Sequence, residues 1–200
     1  VTPEVLFEND FILYYVNCAA TATKEIQGDY PIGLFQSVSD QPYGTDTAAG
    51  KAWGYIEEEY MVAAGEVDSR NPQESSWEIK EGTEYVENMG YEYKFELPNG
   101  TYEVICGFSN PFSARTVDIQ AEDTVAVSEL KILKYKDIQG VFEQEVTDGT
   151  LDILVYNSKR GKDAMKNPIL SYIVVRAVPE YDNELLDRML AKTAFTEEEL

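Results

Sequence analysis

The sequence predicts an all-β fold, an antiparallel β-sandwich, and three observations point that way. Apolar residues recur with period two rather than 3.6 along most of the chain. The alternating runs are short and are punctuated by Gly, Pro, Asn and Asp. No amphipathic helical pattern appears before Pro179, which leaves sheet packed on sheet as the way to bury the apolar faces.

Residues 11–18 read as the first strand, apolar at almost every position and so buried on both faces. The next stretch, from about 19 to 90, is the least regular, rich in Gly, Ser, Asp and Glu and carrying Trp53 and Trp77. Loops this long inside a domain usually carry function, so a ligand surface is expected there. Tyr91, Tyr93, Phe95 and Leu97 then alternate with Glu92, Lys94 and Glu96. Pro98-Asn99-Gly100 supplies a turn, and Tyr102, Val104, Cys106 and Phe108 alternate back, which predicts a β-hairpin. Asn99-Gly100-Thr101 also fits a glycosylation sequon, but the turn reading needs nothing extra. Further strands are predicted over 116–121, 141–146, 151–156 and 169–178, with Asp148-Gly149 punctuating the third and second of these.

The ends read as cut from a longer protein. The start, VTPEVLFEND, lacks the basic-then-apolar pattern of a signal peptide. After Pro179, Leu185, Leu186, Met189 and Leu190 fall on one helix face, and Thr196 with Glu199 has capping-box spacing. The reading is a sandwich over 1–178 and a short C-terminal helix within a linker, 179–200, into a following helical module.

Composition removes whole classes of function. The 200 residues include 16 basic and 37 acidic side chains, a formal charge of −21. Nucleic acid and anionic membranes, which need basic surfaces, are poor partners. No run approaches the roughly 18 apolar residues of a spanning helix. His is absent, so Ser-His-Asp and Cys-His catalysis and imidazole-dependent zinc sites cannot be built. Cys18 shares a strand face with Tyr14 and Val16, and Cys106 with Tyr102 and Val104. Both thiols are expected in the core, free rather than bridged, with one disulfide as the alternative.

Three constellations remain. The first is a carboxylate pair of the glycosidase kind, and the nearest approach is Glu66-Val67-Asp68, with Asn71 where a third acid would stand. With 37 acids in the chain a near miss of this kind is expected by chance, and no enzyme is predicted. The second is calcium, which suits an oxygen-rich chain; Asp118, Glu122 and Asp123 illustrate the donors, but the sequence has no Asp-x-Asp-x-Asp loop.

The third is sugar recognition. A pyranose has an apolar CH face and a hydroxyl rim, so binding it takes a flat aromatic with Asp, Asn or Arg beside it. Fourteen Tyr, eight Phe and two Trp exceed what the core is expected to need. Tyr43 and Asp46 with nearby Trp53 form one such mixture; Asn110, Phe112 and Arg115 form another. A third loop, 157–167, includes Asp163 and Asn167 and the cations Lys159, Arg160, Lys162 and Lys166, a rim suited to an acidic sugar. Loops at one end of a sandwich converge, so residues far apart in sequence can share a site.

These segments occur in a telling order. Tyr15-Val16-Asn17 comes first, then Asp40-x-x-Tyr43-Gly44 and Trp53, then Thr83-Glu84-Tyr85. The run from Gly90 through Pro98-Asn99-Gly100-Thr101-Tyr102 follows, then Asn110-Pro111-Phe112, and last Asn167-Pro168-Ile169-Leu170-Ser171. Together, over roughly 10–178, they resemble a malectin-like domain of the galactose-binding-like, jelly-roll class. That resemblance implies a carbohydrate-binding module of a modular, secreted bacterial glycoside hydrolase, with the sugar held at positions corresponding to Tyr43, Tyr85, Phe112 and Asp163. The C-terminal tail is similar to the start of the helical FIVAR modules of Gram-positive surface proteins. The expected job is non-catalytic binding of an oligosaccharide or polysaccharide, outside the cell or on its surface, beside a catalytic module of the same parent chain. A structural spacer or protein-interaction module is the alternative, and a glycosidase with an unrecognised acid pair the third.

Overall fold

The computed structural model describes residues 12–20, 33–46, 49–67, 71, 73–86, 88–111, 113–158 and 167–177. Among these residues every regular element is a strand. In chain order they are β1 (Ile12–Asn17), β2 (Gly44–Asp46), β3 (Lys51–Tyr55), β4 (Met61–Gly65), β5 (Ser75–Ile79), β6 (Gly90–Glu96), β7 (Gly100–Asn110), β8 (Arg115–Ala121), β9 (Thr124–Ile132), β10 (Lys136–Val146), β11 (Thr150–Asn157) and β12 (Tyr172–Ala177). Two antiparallel sheets form the sandwich, one ordered β1-β12-β7-β10 and the other β2-β3-β6-β11-β8-β9. A separate β4-β5 ribbon makes one antiparallel bridge, between Trp77 and Leu170, two residues before β12. The predicted fold class is therefore present; the expected tail helix lies outside the described residues.

The expected hairpin is absent, and its strands belong to different sheets. β6 pairs with β3 and β11, whereas β7 pairs with β10 and β12. The connection 97–99 is an arch across the sandwich. Neither Asn99 nor Gly100 has the positive φ of a two-residue hairpin turn, and Leu97 and Pro98 are buried instead of forming an exposed tip. The Asp148-Gly149 connection does the same from β10 to β11, and the two arches lie side by side. Leu97 N–H donates to Gly149 O at 2.9 Å, and Asn99 Nδ2 to Thr147 O at 2.6 Å. Period two is common to a hairpin and an arch, because both send alternate residues into the core.

A second correction concerns 19–90, where four strands occur, β2 through β5. A third concerns the aromatics, most of which, among the described residues, build the interior. Tyr14 packs on Phe95 at 5.0 Å and on Phe35 and Trp53 at 5.9 Å, while Tyr93 stacks on Phe95 at 6.0 Å. Three of the buried phenols find backbone acceptors, as burial of a hydroxyl favours: Tyr14 donates to Glu96 O at 2.9 Å, Tyr91 to Pro168 O at 2.8 Å and Tyr102 to Pro98 O at 2.5 Å. Cys18 and Cys106 are free and buried in the same core, as expected.

The four-stranded sheet is apolar on both sides. Ile12, Tyr15, Ile105, Tyr172 and Val174 form a second buried cluster apart from the main core, which is why β1 and β12 read as unbroken apolar runs. Gly107 belongs to that face. It stands opposite Tyr172 in the register, and the Tyr172 ring lies over its backbone so closely that a Cβ would come within 2.0 Å of Cζ.

Candidate functional site

One end of the sandwich collects polar residues from five separate segments. β5 supplies Glu78, the loop before β6 supplies Tyr85, and the end of β7 supplies Asn110. Arg115 opens β8, and Asn167 precedes the strand β12.

Asn167 is the hub. Its Oδ1 accepts the Ile79 N–H at 2.8 Å and lies 3.3 Å from Tyr91 Oη. Its Nδ2 reaches Ile79 O at 3.3 Å and Glu78 Oε2 at 3.4 Å. Its own carbonyl accepts Arg115 Nη1 at 2.6 Å. Arg115 is only 5% exposed and also directs Nε to Ser113 O at 3.4 Å. Asn110 caps the same turn, donating Nδ2 to Ser113 O at 3.1 Å and Ile132 O at 3.3 Å. Asn110 and Arg115 thus hold the loop in shape more than they face solvent.

Three groups here sense one another's charge. Burial raises the Glu78 carboxyl above its ordinary range, and the Arg115 cation partly offsets that rise. Burial lowers the Arg115 pKa, with Glu78 opposing. Burial raises the half-buried Tyr85 phenol, which Arg115 lowers and Glu78 raises. Glu78 Oε1 is out of solvent and accepts no hydrogen bond from a described residue. An acceptor left in that state costs about 1–3 kcal/mol until a donor reaches it.

The remaining sequence-predicted residues fall elsewhere. Trp53 is fully buried, and its indole Nε1 donates to Asp46 Oδ2 at 3.0 Å. Asp46, also buried, accepts the Ser37 N–H through the same oxygen. Neither presents a face to a ligand: the Trp53 ring fills the core, and Asp46 is spent on satisfying it. That corrects the expectation that this pair lines a sugar site. Tyr43 is 42% exposed, beside Tyr55, whose carbonyl accepts its N–H at 2.7 Å. Phe112 and Asp163 lie outside the described residues, as does Asp68 of the near-miss acid pair.

Among the described residues no group of three or more Asp, Glu or Cys side chains is placed to hold a metal ion. Asp118, one of the illustrative calcium donors, directs Oδ1 to the Glu129 N–H at 2.6 Å. Glu122 and Asp123 instead line an acidic depression of about 190 Å³ with Glu92, Gln120 and Asp152. Lys94 bridges its walls, 2.6 Å from Asp152 Oδ2 and 3.3 Å from Glu92 Oε1.

No family model matches the chain, and no curated protein matches it in sequence. Solved structures do. Part of Bacteroides uniformis beta-glucuronidase 2 aligns with a TM-score of 0.56 at 16% identity, over 82% of this chain and 18% of that one. The ANX1 ectodomain from Arabidopsis thaliana aligns at 0.54 and 10% identity, over 84% and 49%. The YxiM protein from Bacillus subtilis aligns at 0.53 and 19% identity, over 82% and 40%. What is shared is the fold. The chain spans less than half the length of each of these structures.

Glu78 was not predicted as a site residue. Its one signal is alternation, since Ser75, Trp77 and Ile79 share a face and Glu78 takes the other.

Proposed function

We propose that the chain is a non-catalytic carbohydrate-binding module whose site is the end formed by Glu78, Tyr85, Arg115 and Asn167. The observation carrying this reading is the buried, unpartnered Glu78 Oε1 beside a half-buried tyrosine ring. A sugar hydroxyl donating to that oxygen removes a standing desolvation penalty. Tyr85 offers the ring for the apolar face of a pyranose. Arg115 and Asn167 act as positioning residues, because Asn167 bonds the Glu78–Ile79 stretch and Arg115 holds Asn167 in turn.

The wider context supports the same reading without extending it. A domain of this fold occurs within a beta-glucuronidase chain and within a plant ectodomain, which fits an extracellular module that keeps a neighbouring catalytic module near its glycan. Tethering of that kind acts through local concentration, so weak intrinsic affinity suffices.

Affinity electrophoresis against a panel of soluble polysaccharides tests the assignment. The native chain is expected to be retarded by at least one polymer. Glu78→Ala and Tyr85→Ala each weaken that binding roughly tenfold, the order expected for one stacking or charge-assisted contact. Retardation that survives both Glu78→Ala and Tyr85→Ala moves the site elsewhere, and the absence of any shift leaves a spacer module.

A further inference from the structure

The end of β9, its connection to β10 and the first residue of β10 read Lys131-Ile132-Leu133-Lys134-Tyr135-Lys136. It holds three of the chain's sixteen cations in six residues, on a protein whose formal charge is −21. Ile132 points into the core, while Leu133 is 50% and Tyr135 72% exposed. All three lysines are exposed, and none forms an ion pair with a described residue. Lys134 Nζ sits 4.5 Å above the Tyr135 ring.

Folding alone gives little reason for this arrangement. Tyr135 adopts φ 57°, a left-handed conformation that costs a non-glycine residue about 1–2 kcal/mol. Burying a tyrosine ring normally offsets such a cost, yet here the ring stays in solvent. The backbone is nonetheless fixed, because Tyr135 N–H donates to Asn110 O at 2.7 Å. The arch also belongs to the site end. Ile132 pairs with Arg115 and Lys136 with Asn110, and Asn110 Nδ2 donates to Ile132 O.

We infer that the 131–136 arch extends the glycan site and takes a strand of uronic-acid residues, with one ring on Tyr135 and carboxylates against Lys131, Lys134 and Lys136. This deepens the carbohydrate-binding reading and rests on it. A flat, exposed ring flanked by cations matches a sugar that is apolar on its face and anionic at its rim. The whole-chain charge sets an upper limit on the partner's charge density. A uronan carries one carboxylate per ring, which three lysines can meet within a Debye length of about 8 Å at physiological salt. A densely sulfated chain places surplus anions against an acidic body, and an acidic peptide has no ring face to lay on Tyr135.

Isothermal titration of the full chain separates these partners, with four probes: oligogalacturonate, its methyl ester, dextran sulfate and poly-glutamate. Oligogalacturonate is expected to bind most tightly. Tyr135→Ala weakens it about tenfold, and each of Lys131→Ser, Lys134→Ser and Lys136→Ser about threefold, as exposed ion pairs do. The methyl ester, with the same rings and no charge, loses the lysine contribution and becomes insensitive to the lysine variants. Tighter binding of dextran sulfate or poly-glutamate, or oligogalacturonate binding indifferent to all four variants, overturns the inference. The arch and the Glu78 site fail separately. If arch variants change nothing while Glu78→Ala abolishes binding, the arch falls and the glycan site stands. If Glu78→Ala and Tyr85→Ala change nothing while the arch variants act, the arch stands and the Glu78 site falls.

Discussion

Asp40 ties three parts of the fold together through one carboxylate. Its Oδ2 accepts the Ala19 N–H at 2.6 Å and the Tyr93 hydroxyl at 3.0 Å, and Oδ1 accepts the Gln41 N–H at 2.9 Å. Trp77 Nε1 in turn donates to the Tyr93 oxygen at 2.7 Å. Burial outweighs these hydrogen bonds and lifts the Asp40 pKa from 3.8 to about 7. A carboxyl so raised binds its proton more tightly folded than unfolded, so stability falls as pH rises from about 4 through 7. The full shift is worth about 4 kcal/mol at 1.36 kcal/mol per unit. Most of it, about 2.5 kcal/mol, is lost between pH 5 and pH 8. Urea denaturation of the native chain and of Asp40→Asn at these two pH values isolates that quantity. Asn cannot ionise, so the stability difference between the two proteins moves by about 2.5 kcal/mol in favour of Asn on going to pH 8, whatever Asn costs at either pH alone. A difference that stays constant from pH 5 to 8 refutes the reasoning and makes Asp40 an ordinary ionised hydrogen-bond acceptor.

Two further outcomes follow from the packing. Trp53→Phe removes the indole donor to the buried Asp46 oxygen and is expected to cost about 1–3 kcal/mol in chemical denaturation while leaving glycan retardation unchanged; lost retardation in a folded variant returns Trp53 to the binding site. Gly107→Ala forces a methyl into the Tyr172 ring at 2.0 Å, an overpacking expected to cost about 1–3 kcal/mol. The double variant with Tyr172→Ala recovers part of that loss, and no recovery means that the clash lies with the backbone instead.

Strand positions were legible because burial imposes its own period. Residues 91–97 and 102–108 alternate as the strands β6 and β7 require, and the predicted 151–156 falls within β11. Strand partners were not legible. The Pro98-Asn99-Gly100 turn fits a hairpin and an arch equally by alternation, and the deciding fact is the burial of Leu97 and Pro98 next to Gly149, a contact between residues about fifty positions apart. β2 and β3 escaped notice for a related reason. They are short, and their character comes from neighbours such as Phe95, which pairs with Trp53.

The same physics decided which candidate residues reached the surface. A tryptophan near turn residues looks like a stacking platform, but a large ring gains most by being covered, and Asp46 stands ready to satisfy the indole N–H. That pairing of aromatic and carboxylate is what a sugar site also needs, so residue type alone cannot separate the two. Geometry at strand ends can. Asn110, Arg115 and Asn167 sit where β7 ends, where β8 starts and just before β12, and the sandwich topology carries those places to one end. There the core no longer supplies partners for every polar atom, and Glu78 Oε1 is left without one. Tyr135 is the aromatic counterpart, its backbone tied to Asn110 and its side chain left exposed. In this chain the residues that folding leaves unsatisfied mark the proposed ligand surface better than the aromatic residues as a class, because folding has already used most of the described aromatics.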